Sequence, residues 1–113
     1  MYKYNAKLIR VIDGDTVDAS IDLGFDVWVK KRVRLYGIDA PETRTRDLQE
    51  KKKGIETKQR LQELLDGNNG LFIIKSEGVG KYGRCLGIII IDGDNINEKL
   101  INEGYAKEYL KKW

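Results

Sequence analysis

Arg34-Leu35-Tyr36-Gly37-Ile38-Asp39-Ala40-Pro41-Glu42 begins as a strand and ends as a turn. Upstream of it, Val27, Val29, Val33 and Leu35 share one face of a period-2 pattern that Lys31 interrupts, while Trp28, Lys30, Arg32 and Arg34 share the other. Gly37 permits a bulge or a close backbone approach. Pro41 cannot donate to a sheet ladder and biases Ala40 towards an extended conformation. The strand is therefore expected to stop near Ile38, leaving the carboxylates of Asp39 and Glu42 at its end and Arg34 a few residues behind them. That grouping reads either as an ordinary ion-pair cluster or as an anion site beside a cation site, the pairing that phosphodiester chemistry requires.

Working outward, Lys7 to Ile12 reads as a strand and Asp13-Gly14 as a hairpin turn. A second strand follows, with Asp15, Val17, Ala19, Ile21 and Leu23 in one register and Thr16, Asp18, Ser20 and Asp22 in the other. Asp15 continues the apolar register, which puts its carboxylate at the rim of the core. Gly24 to Asp26 turns the chain into the long third strand, completing an antiparallel meander.

Thr43 to Lys53 is polar and charged and reads as a mobile loop. Gly54 to Asp66 has helical periodicity, with Ile55, Leu61, Leu64 and Leu65 on one broad face and Gly67 as a stop. Leu71 to Lys75 and Arg84 to Ile91 read as two further strands around the glycine-rich turn Gly78 to Gly83. Asn97 to Asn102 is a short helix, and Tyr105 to Trp113 a basic, aromatic tail. Three strands, a helix and two strands suit an α+β, mainly β architecture. The expected form is a five-stranded OB-type β-barrel, with one helix between strands three and four and a short C-terminal helix.

The tetrapeptide Ile-Asp-Gly-Asp occurs at Ile12 to Asp15 and again at Ile91 to Asp94. The second copy reads as a turn and helix cap. Neither copy opens an EF-hand, since counting from Asp92 the third ligand position falls on Ile96.

The composition limits the chemistry. The chain has 113 residues, 41% hydrophobic and 35% charged, which suits one globular domain spanning residues 1–113. It contains no histidine, which excludes Ser-His-Asp and Cys-His catalysis and histidine-bound zinc. The lone Cys85 excludes an internal disulfide and reads as a small core residue. Hydrolysis would have to rest on carboxylates, cationic side chains and a hard, oxygen-bound metal. Net charge is only +3, but basic residues cluster at Lys30 to Arg34, at Lys51 to Lys53 and at Lys81 with Arg84. No apolar run approaches the length of a membrane span, and Met1 to Asn5 lacks a signal core, so a cytoplasmic or phage-encoded intracellular location is the expectation.

Ile12 to Val17, Val33 to Thr43, Lys81 to Arg84, Asn97 to Ile101 and Gly104 to Lys107 together closely resemble the staphylococcal nuclease family, in its order and with similar spacing. The resemblance implies a Ca2+-dependent phosphodiesterase on an OB-fold that cleaves DNA and RNA, favours single strands, has little sequence specificity and leaves the phosphate on the 3′ side. It implies Asp15, Asp39 and the Ala40 carbonyl as calcium ligands, although the best-known member carries threonine at the Ala40 position. Glu42 resembles the general base, and Arg34 and Arg84 the phosphate-gripping arginines. Lys81, Tyr82 and Tyr109 match substrate-contacting positions. The stretch from Asp22 to Arg32 is longer than its counterpart, and the chain ends at Trp113, before the family's further helix. The alternative is a binding module of the same family that lacks catalysis. The joint presence of Asp15, Arg34, Asp39, Glu42 and Arg84 favours the enzyme. A sequence-blind single-strand binder would instead stack bases on Trp28 and Tyr36. A monomer is assumed.

Overall fold

A computed structural model describes residues 2–80 and 83–109. The first hairpin joins β1 (Lys3–Asp13) to β2 (Thr16–Asp22) through the two-residue turn Gly14-Asp15. Val11 pairs with Val17 and Ala6 with Ile21, and register shifts near Ile9 and Ile12 bend β1. β2 continues into β3 (Trp28–Leu35) with Thr16 opposite Arg34 and Asp18 opposite Arg32. The inward residues of β2 are Val17, Ala19 and Ile21, as the alternation requires, all nearly inaccessible to solvent.

β5 (Leu71–Val79) pairs with β1, and β6 (Cys85–Ile91) pairs antiparallel with β5. β6 also runs parallel to β3, with Val33 opposite Cys85, Arg34 opposite Leu86 and Leu35 opposite Gly87. This pairing closes five strands into the OB-type barrel and hides the edges an open sheet would expose. β7 (Asp94–Asn95) adds a short rung on β6.

α1 runs from Leu48 to Asp66, six residues longer at its start than the apolar periodicity indicates. The cause is Asp47, whose carboxylate accepts from the Gln49 and Glu50 N–H groups at 3.0 and 3.3 Å, with Glu50 adding an acidic residue to the first turn. Only 43–47 of the expected loop is therefore irregular. The buried stripe of α1 is Gly54, Thr57, Leu61 and Leu65, and Ile55 stays half exposed. Leu61 and Leu65 are fully buried and plug the barrel, each contributing roughly 1.5–3 kcal/mol.

α2 (Ile96–Asn102) is capped by the Asn95 side chain, which accepts from the Glu98 N–H at 3.1 Å. After α2, part of the expected tail forms a strand instead. β8 (Lys107–Glu108) pairs with β4 (Ile38–Asp39). Among the described residues no helix is long and apolar enough to cross a membrane.

Candidate active site

Asp15 closes the β1–β2 turn, and three groups fix its carboxylate. Thr16 Oγ1 donates to Oδ1 at 3.0 Å, the Ala40 N–H donates to Oδ2 at 3.0 Å, and Arg34 Nη1 forms a close ion pair with Oδ2. The Asp15 carbonyl accepts from the Leu35 N–H at 2.7 Å, tying the turn to the end of β3. Arg34 and Asp15 are nearly enclosed, with side-chain exposures of 11% and 13%. Arg34 Nη2 also reaches Asp39 Oδ1, at 3.5 Å. One guanidinium thus contacts both carboxylates, which brings them together at the barrel rim although 24 positions separate them in sequence.

The Asp39 side chain is 55% exposed and lines a cleft of about 510 Å3 between the start of α1 and the segment from Glu103 to Lys107. Its position is set on one side by pairing with Lys107 across β4–β8 and on the other by the Ala40 N–H bond to Asp15. Glu42 is exposed, three residues further on, and among the described residues its carboxylate has no hydrogen bond or ion pair. Thr43 Oγ1 donates to Asp13 in a close hydrogen bond, joining the far end of this loop to the β1–β2 turn.

Arg84 is exposed and directly precedes Cys85, the partner of Val33. It lies two residues before Leu86, the partner of Arg34, and just ahead of the start of β6. Its carbonyl accepts from the Gly80 N–H at 2.7 Å and closes the glycine-rich turn. Lys81 and Tyr82 lie outside the described residues. The Tyr109 N–H donates to the Gly37 carbonyl at 2.9 Å, which brings the half-buried Tyr109 beside the end of β3.

Three further residues hold this arrangement, and apolar periodicity does not find them. Gly54 lies against the loop carrying Glu42: a Cβ there would stand 2.5 Å from the Glu42 carbonyl oxygen and 2.7 Å from that of Pro41. Thr57, one turn later and buried, packs its methyl group against Gly14, where a Cβ would come within 2.3 Å of it and 3.0 Å of Ala40 Cβ. The Thr57 hydroxyl donates to the Tyr105 carbonyl at 2.7 Å. Asn97 is buried on α2, where its amide donates to the carbonyls of Tyr36 (2.9 Å) and Gly87 (3.1 Å) and accepts from the Ile89 N–H (3.1 Å). The signals in sequence were a glycine inside a helix and polar residues on the inward stripes of α1 and α2.

The donor chemistry fits a hard divalent cation. Asp15 and Asp39 offer oxygen only and stand within reach of one positive group, and Asp39 is open to solvent. Among the described residues no three acidic, cysteine or histidine side chains gather at a point, so carbonyls and water would complete a shell.

Residues 32–112 match the family described as staphylococcal nuclease homologue. The chain is 33% identical to Endonuclease YncB of Bacillus subtilis over 91% of its own length and 47% of the relative's. It is 32% identical to an uncharacterised protein of Bacillus anthracis over 88% of its length and 45% of the relative's. It is 36% identical to the probable staphylococcal-like nuclease CAN1 of Oryza sativa over 76% of its length and 24% of the relative's. The chain spans about half the length of the first two of these relatives and a quarter of the third. With the family match covering the second half of β3, both helices and the loop that carries Asp39 and Glu42, this chain belongs to the staphylococcal nuclease homologue family.

Proposed function

We propose that this protein is a Ca2+-dependent nuclease that hydrolyses phosphodiester bonds of DNA or RNA, with single strands preferred. The observation that carries the reading is the convergence of Asp15 and Asp39 on Arg34, with the exposed Glu42 on the loop that carries Asp39. Asp15, Asp39 and the Ala40 carbonyl would hold the cation, which when bound neutralises charge on a non-bridging phosphate oxygen.

Arg34 and Arg84 grip the remaining phosphate oxygens. A guanidinium stays charged at any working pH and binds two oxygens at once, so it favours the charge-rich transition state over the ground state. Glu42 orients a water and accepts its proton as the water oxygen bonds to phosphorus. The bond to the 5′ oxygen breaks, that oxygen takes up a proton, and the phosphate remains on the 3′ side. Lys81, Tyr82 and Tyr109 contact the flanking nucleotide. Contacts to sugar and phosphate dominate, so sequence specificity is low and binding falls with salt.

The test is product analysis. Single-stranded DNA treated with the protein and Ca2+ should yield fragments that a polymerase extends only after phosphatase treatment. Fragments extended directly would place the leaving group on the other side and overturn the proposed geometry.

A further inference from the structure

We propose that the outer face of β3 and the β2–β3 hairpin form a second nucleic-acid contact, a track that holds a single strand leading away from the catalytic centre. It rests on the nuclease reading for its direction but not for its existence. Lys30 and Arg32 follow Arg34 at two-residue steps on the same face of β3, and Trp28 continues the row. At about 3.4 Å per residue, the row runs roughly 20 Å from Arg34 to Trp28.

Across the face, β1 adds Lys7 and Arg10, so cations flank the row on both sides of β2. The acidic residues on this face are already engaged. Asp18 is held by Arg32 and Arg10, with Arg32 the larger influence in drawing its carboxyl below the ordinary aspartate range. Asp22 accepts from the Gly24 N–H at 2.8 Å. Lys30 forms no ion pair among the described residues, which leaves its ammonium group for phosphate.

The far end is apolar and open. Phe25 is completely exposed, with Leu23, Val27 and Trp28 about half exposed around it. Phe25 and Asp26 both hold positive φ, 53° and 61°, in a turn closed by Leu23 N–H to Val27 O at 2.8 Å. A bulky residue in that region is an outlier that packing against this chain does not reward. Lys7 Nζ sits 5.0 Å from the Trp28 ring centre and pins that ring by a cation–π contact. A duplex hides its base faces, whereas a single strand offers them. Aromatic rings beside a row of cations therefore match single-stranded nucleic acid, by stacking and by charge.

The experiment is fluorescence anisotropy in EDTA with labelled oligothymidylates of roughly 4 and roughly 16 nucleotides, the range of site sizes on one OB-fold. Phe25→Ala should weaken the long oligonucleotide by about fivefold or more, the low end for one lost stacked base. Lys30→Ala should reduce the salt slope for the long oligonucleotide by about 0.7, one single-strand phosphate contact. Affinity for the short one should be retained in both variants. Unchanged affinity for the long oligonucleotide, or equal losses for both lengths, overturns the track. A parallel Ca2+ cleavage assay on the wild type separates the two readings. Cleavage without length-selective loss leaves the nuclease and removes the track, and length-selective loss without cleavage does the reverse.

Discussion

Gly54→Ala introduces one methyl group between α1 and the loop that carries Glu42. The new Cβ would stand 2.5 Å from the Glu42 carbonyl oxygen, and ordinary contact begins at 3.4 Å, so helix and loop must separate by about 0.9 Å. The obstacle is backbone, which cannot swing aside as a long side chain would. Alanine is the better helix former by about 1 kcal/mol, and overpacking costs about 1–3 kcal/mol, so net stability should fall by no more than about 2 kcal/mol. Activity should suffer more. A shift near 1 Å in a positioned catalytic group costs about 10²-fold. Steady-state cleavage of a single-stranded oligonucleotide, read beside a thermal melt, should give kcat down about 10²-fold, KM little changed and a cooperative transition retained. A kcat within a few-fold of wild type would refute the claim that the contact of Gly54 with this loop sets the position of Glu42.

Other perturbations follow from the same contacts. Arg34→Ala removes the positive charge between Asp15 and Asp39, so calorimetry should find Ca2+ binding tighter by roughly tenfold while turnover collapses; weaker Ca2+ binding would contradict that electrostatic role. Asn97→Ala removes the side-chain acceptor of the Ile89 N–H and one donor each from the Tyr36 and Gly87 carbonyls, and urea unfolding should show a loss of about 3 kcal/mol. Glu103 is held below the ordinary glutamate value of 4.5, chiefly by its hydrogen bond from Arg60. Its contribution to stability is therefore complete above pH 4.5 and is lost as pH falls through the lower folded value. Glu103→Gln should accordingly lower the Tm at pH 7 and have little effect in strong acid, and an equal effect at both would exclude the ion pair as the cause.

The barrel was readable because its strands alternate cleanly. Val17, Ala19 and Ile21 face inward on β2, as the two-residue period requires. Asp15, continuing that register, was readable as a rim carboxylate for the same reason. The start of α1 is not legible in the periodicity because its first turns, Leu48 to Lys53, carry no apolar stripe and depend on the Asp47 cap. Ile55 was misplaced because the inward positions beside the active-site loops belong to Gly54 and Thr57, where close approach matters more than hydrophobicity. The β4–β8 pairing leaves no signal in the sequence because two-residue strands have no period. The meeting of Asp15 with Asp39 is a tertiary fact: barrel closure and the Ala40 N–H bond create it, and local spacing does not encode it.

The most direct measurement is cleavage of single-stranded DNA with Ca2+, against an EDTA control and an Arg84→Ala variant purified in parallel. Cleavage that requires Ca2+ and vanishes in the variant is the predicted result. Cleavage that persists in EDTA, or in Arg84→Ala at the wild-type rate, would contradict the site. Salt-sensitive DNA binding with no cleavage would make the protein a binding module.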